Sequence, residues 1–115
     1  MRIAAVVSVA LGVLCLACKP STDESPVELG RRAYMANCIA CHNADPRKEG
    51  TLGPALAGSS PALVEARVMR AEYPAGYTPK RASSLMPAQP FLKQDVPQLA
   101  AYLESLAPTA APTPR

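Results

Sequence analysis

One short segment of this 115-residue chain gathers three side chains able to do metal or thiol chemistry: Cys38, Cys41 and His42, in the run Cys38-Ile39-Ala40-Cys41-His42. Two thiols three positions apart, followed at once by an imidazole, suit covalent haem attachment. The thiols add across the two vinyl groups of haem to form thioethers, and the histidine is then held under the iron and ligates it. His42 is the only histidine of the chain, so it has no rival for that role. Other uses of these residues fit less well. A structural zinc site needs four nitrogen or sulfur ligands, and only three remain if Cys18 is lipidated. A thioredoxin-like redox pair should follow a strand in a βαβ pattern, which the sequence lacks. A plain disulfide would not require His42.

The other two cysteines, Cys15 and Cys18, close an N-terminal apolar run. Arg2 is followed by uncharged residues from Ile3 to Ala17. A charged start, a short apolar stretch and a small-residue exit are the signature of a secretory signal. The run is short of the roughly 20 residues that span a bilayer comfortably. The exit, Leu14-Cys15-Leu16-Ala17-Cys18, resembles a bacterial lipobox, with Cys15 standing where that motif usually has Leu. The resemblance implies a signal peptide over residues 1–17 and a lipidated Cys18 that opens a polar tether over residues 18–24. Lys19, in place of Asp, implies the outer membrane of a Gram-negative cell. Ordinary cleavage to a soluble periplasmic protein and an uncleaved anchor are the alternatives.

The folded part is expected over residues 25–107, with a disordered tail over residues 108–115. About 80 residues make a marginal core without a disulfide, a metal or a cofactor. Large flat side chains are few, with four Tyr, one Phe and no Trp. A buried haem would supply the missing apolar body. The net charge of +3 falls to +2 once residues 1–17, which carry only Arg2, are removed. That balance, with no basic stripe interleaved with aromatics, gives no case for nucleic acid. Arg67, Arg70, Lys80 and Arg81 do cluster. They read either as a solvated face or as a docking rim for an acidic redox partner.

Three helices are expected, and no stretch alternates like a strand. The first runs from about Pro26 to Cys41, with Ser25 as N-cap and Glu28 completing a capping box. The second runs from about Pro61 to Glu72 behind Ser60; Leu63, Val64, Val68 and Ala71 share one face. The third runs from about Val96 to Leu106, capped by Asp95 with Gln98 in the capping-box position and Leu99, Tyr102, Leu103 and Leu106 as its stripe. Residues 43–59 and 73–94 are Pro- and Gly-rich connections that need something to order them.

With these landmarks the chain resembles a small bacterial class I cytochrome c, a monohaem family with His/Met ligation, over roughly residues 26–107. Gly53-Pro54-Ala55-Leu56-Ala57-Gly58 resembles the family's loop after the haem histidine. The resemblance implies an all-α cytochrome c fold of about three main helices wrapped around one haem, with crossed N- and C-terminal helices. Gly30, Tyr34, Leu99 and Tyr102 match that crossing, and Gly30 lets the two backbones approach. It also implies that the Pro54 carbonyl accepts the Nδ1–H of His42, which fixes the ring and tunes its basicity.

The sixth iron ligand is expected to be Met86. Met1 lies in the export segment, Met35 on the attachment helix and Met69 in mid-helix, where core packing is the simpler role. Met86 sits in an irregular loop before Pro87, as the axial methionine often does in this family; ordinary apolar filler is the alternative. Tyr73, Tyr77, Lys80 and Arg81 are candidates for the haem propionates, equally well read as surface or packing residues. His and Met together saturate the iron, which favours one-electron transfer over substrate chemistry. The expectation is a non-enzymatic electron carrier with one haem c, lipid-anchored on the periplasmic side of a membrane, exchanging electrons with protein donors and acceptors. A haem-based sensor and an electron-entry subunit of a larger membrane enzyme are the alternatives.

Overall fold

Ser25 and Ser60 start helices for the same physical reason. Each holds extended backbone, and its Oγ accepts a hydrogen bond from the amide three residues on, Glu28 and Leu63 respectively, both at 3.2 Å. That bond satisfies one of the amides a helix start leaves without partner. Pro26 and Pro61 follow with φ already set for a helix. The structure, a computed structural model, describes residues 24–109. The expected signal peptide, Cys18 with nearly all of its expected tether, and the end of the expected tail lie outside the described residues. Helix α1 spans Pro26–Asn37, α2 spans Pro61–Arg70 and α3 spans Val96–Ser105. A 3-10 turn at Pro90–Leu92 precedes α3, and there is no strand among the described residues. The fold is all-α, as expected.

The helix ends differ from the sequence reading, each for a local reason. Helix α1 stops at Asn37 rather than Cys41. Asn37 turns its side-chain amide back to the Ala33 carbonyl at 2.8 Å, the local competition that makes Asn a poor interior helix residue. Helix α2 stops at Arg70 because Ala71 adopts left-handed backbone, φ 55°, a conformation more often given to glycine. Arg67 Nη1 donates to the Ala71 carbonyl at 2.6 Å and its guanidinium lies 4.2 Å from the centre of the Tyr73 ring, which offsets that strain. Asp95 makes no side-chain cap. The 3-10 turn already coils the chain, with the Asp95 amide on the Leu92 carbonyl at 2.8 Å, so α3 grows out of it. The capping box at Glu28 is half formed: its carboxylate pairs with Arg31 and Arg32 instead of reaching back to Ser25.

Helices α1 and α3 make the main helix–helix interface. Gly30 sits on α3 so closely that an added Cβ would lie 2.5 Å from the Gln98 carbonyl carbon and 2.8 Å from Tyr102 Cβ. The Tyr34 and Tyr102 rings meet at 5.7 Å between centroids, tilted by 58°. Tyr34 and Leu99 are fully buried, and Val64 and Val68 of α2, Leu92 of the 3-10 turn and Leu103 of α3 complete the core around them. No helix among the described residues is long and apolar enough to cross a membrane.

Candidate functional site

Beyond α1 the chain makes one more turn rather than more helix. The Cys38 amide still reaches the Tyr34 carbonyl at 2.9 Å, and the Cys38 carbonyl then accepts from both Cys41 and His42, at 3.3 and 2.9 Å. Cys38, Cys41 and His42 are therefore fixed by a post-helical turn, and Ile39 projects to solvent between the thiols. Both cysteines are free and half-buried. Burial, helped by the neighbouring Cys41, pushes the Cys38 thiol up to about 11, so it is a neutral S–H at neutral pH.

The loop that follows grips this turn from behind. Tyr34 Oη donates to the Asn43 carbonyl at 2.6 Å. The amides of Leu52 and Gly53 donate to the Cys41 carbonyl at 3.1 and 3.0 Å, and the Gly50 amide donates to the Gly53 carbonyl at 2.9 Å. The buried His42 ring has Nδ1 2.9 Å from the Pro54 carbonyl oxygen. A carbonyl only accepts, so Nδ1 carries the proton and Nε2 is left as the nitrogen able to bind a metal. Gly53 is packed flat on that ring; an added Cβ would meet Nδ1 and Cε1 and lie 2.9 Å from Nε2. At Gly50 it would lie 2.6 Å from His42 Cα. These two glycines let backbone lie directly against the imidazole and its own main chain.

Cys38, Cys41, His42 and Met86 all line one cavity of about 460 Å³, within the range of about 300–1,000 Å³ of cofactor pockets. Pro54, Leu63, Val64, Val68, Leu99 and Leu103 add to its walls. Met86 is half-buried and packed against the core, whereas Met35 is exposed on α1 and Met69 packs on the core from α2. Leu52, Tyr73, Leu85 and Phe91 are exposed large apolar side chains, and all four line the same cavity. A broad apolar occupant would cover them. Arg67, Tyr73, Tyr77, Lys80 and Arg81 also stand along its wall. Tyr73 and Tyr77 are stacked, 5.5 Å between centroids and 9° apart in plane. The basic cluster is more engaged than a bare solvated face: Arg70 pairs with Glu65 and Glu72 at 3.3 Å, Lys80 Nζ donates to the Ala55 carbonyl at 2.7 Å, and Arg81 pairs with Glu49.

A cytochrome c family model matches residues 27–107. The chain belongs to the cytochrome c family. No curated protein matches the chain closely enough to count as a relative. Cytochromes c carry covalent haem c with its iron and work in haem-based electron transfer. The residues of this cytochrome c fit that group on three observations. Two free thiols sit at the cavity wall, a buried imidazole is pinned through Nδ1 with Nε2 to spare, and glycine backbone leaves the ring room.

Sequence reasoning gathered Cys38, Cys41, His42, Pro54 and Met86, and the fold brings all five to the one cavity. It missed the grip of Gly50 on His42, the Tyr34–Asn43 bond and the Arg81–Glu49 pair. A glycine eight residues after His42 was the only signal for the first. The third joins residues 32 positions apart and leaves no local trace.

Proposed function

We propose that this cytochrome c is a bacterial one-electron carrier with a single haem, attached through Cys38 and Cys41 and ligated by His42 Nε2 and the Met86 thioether. One observation carries the reading: both thiols, the pinned imidazole and Met86 line a single cavity. When bound, the haem supplies an iron centre that cycles by one electron, and His/Met ligation raises its potential relative to bis-His. The chain's own residues do the rest. Pro54 fixes the His42 tautomer and raises its basicity. Leu63, Val64, Val68, Leu99 and Leu103 exclude water, which keeps the dielectric around the iron low. One Cys-x-x-Cys-His segment and one histidine in the chain support a single haem.

The carrier works on the periplasmic side of a membrane, held by lipid on Cys18, with the outer membrane favoured by Lys19. It passes electrons between protein partners and is not itself an enzyme. The test is carbon monoxide added to the reduced protein. A saturated iron leaves the reduced spectrum unchanged; rapid carbon monoxide binding would overturn the carrier and favour a sensor. Mass spectrometry of the mature N-terminus tests the anchor: diacylated Cys18 is expected, and an intact Met1 or bare Cys18 contradicts it. Co-purification with a membrane enzyme would make it an electron-entry subunit instead of a free shuttle.

A further inference from the structure

The segment that carries Met86 is weakly held. Between Thr78 and Ala88 the main chain makes no hydrogen bond to the rest of the fold among the described residues. Its internal bonds are two: Ser83 amide to Arg81 carbonyl at 2.9 Å and Leu85 amide to Ser83 Oγ at 3.3 Å. Its far end is tied at one point, the Gln89 amide on the Val68 carbonyl at 2.6 Å. At the near end two adjacent side chains hold it. Lys80 Nζ donates to the Ala55 carbonyl, and Arg81 Nη2 donates to the Glu49 carboxylate and to the Gly50 carbonyl, the latter at 3.2 Å.

The place where Arg81 lands matters. Glu49 and Gly50 begin the loop that grips His42. Gly50 lies against the His42 main chain, its amide bonds Gly53, and Gly53 and Pro54 together fix the ring. Arg81 thus joins the segment bearing one candidate ligand to the loop that positions the other. Both bonds leave one nitrogen, Nη2, whose two N–H groups serve the carboxylate and the carbonyl at once.

We propose that Arg81 is a positioning residue: through Glu49 and Gly50 it latches the Met86 segment to the His42 loop and so sets how readily Met86 leaves the iron. This rests on the reading of Met86 as a ligand. The pair is on the surface, with the Arg81 side chain 34% and the Glu49 side chain 62% exposed, so the latch is modest and weakens with salt.

The test compares holoprotein of wild type, Arg81→Gln, Arg81→Lys and Glu49→Gln. Imidazole titrated into the oxidised protein competes with Met86 and reads the open fraction directly. Arg81→Gln is expected to tighten apparent imidazole binding about twofold to fivefold. Arg81→Lys restores part of the difference, and Glu49→Gln gives a smaller change than Arg81→Gln. Amide exchange followed by mass spectrometry is the second readout. It should quicken at the bonded amides of Gly50, Leu52 and Gly53 and of Ser83, Leu85 and Gln89 in Arg81→Gln and stay unchanged in α1 and α3. Imidazole binding within twofold of wild type together with unchanged exchange overturns the proposal. So does exchange that quickens equally in α1 and α3, which marks a general loss of stability. A wild type without a methionine–iron band defeats the Met86 reading instead, and the exchange pattern still decides the latch.

Discussion

Gly53→Ala is the substitution that puts most of the site at risk with the fewest atoms. Among the described residues the glycines with positive φ are Gly58 and Gly76 and not Gly53, so alanine suits its backbone. On that ground alone the change would stabilise by about 0.4–1 kcal/mol through the unfolded chain. Contact acts the other way. The new methyl carbon would stand 2.9 Å from His42 Nε2 and closer still to Cε1 and Nδ1, whereas ordinary contact begins at 3.4 Å. The imidazole must retreat by at least about 0.5 Å, and it is buried and pinned at 2.9 Å to Pro54. Overpacking of this kind costs about 1–3 kcal/mol, and a stretched Nδ1 bond adds about 1 kcal/mol. The balance is a loss of about 1–3.5 kcal/mol. For a domain of this size it lowers the melting temperature by roughly 5–25 °C. A weaker Nδ1 bond also makes His42 a poorer donor to the iron, which favours the reduced state and raises the potential. Thermal melting and spectroelectrochemical titration of the holoprotein read the two effects. A melting temperature at or above wild type with an unchanged potential would refute the argument that His42 rests on Gly53.

Gly30→Ala sets helix propensity, worth about 1 kcal/mol in favour of alanine, against a methyl 2.5 Å from the Gln98 carbonyl carbon. Backbone cannot rotate away, so a net loss of up to about 2 kcal/mol is expected by urea unfolding, and a gain would show that α1 and α3 are not in contact there. Tyr34→Phe removes the donor at 2.6 Å from the Asn43 carbonyl, in a side chain with no exposed surface. It should cost about 1–3 kcal/mol in the same assay, and a change below about 0.5 kcal/mol would mean the bond is not made.

The starts of α1 and α2 were legible because their signals are local: a serine, a proline and the apolar spacing that follows. Their ends were not. Asn37 stops α1 through its own side chain, and Ala71 takes a left-handed turn closed by the Glu72 amide on the Ala66 carbonyl and by its bonds to Arg67. Asp95 has the composition of a cap, yet its own backbone is already helical, φ −91° and ψ −13°, and its side chain makes no cap bond. In the site, residues of distinctive chemistry could be picked from the sequence, since a lone histidine and a methionine before a proline stand out. What holds them could not. Tyr34 on Asn43, Gly50 on His42 and Arg81 on Glu49 are set by how loops pack, and each residue type is commonplace where it stands.

The account's central claim is that Cys38, Cys41, His42 and Met86 hold one haem between them. The most direct test is the optical spectrum of the oxidised protein beside that of Met86→Ala. A methionine-to-iron charge-transfer band in the wild type, lost in Met86→Ala while the haem stays attached after denaturation, is the predicted result. A band that persists in Met86→Ala, or a haem that leaves the denatured chain, would contradict it.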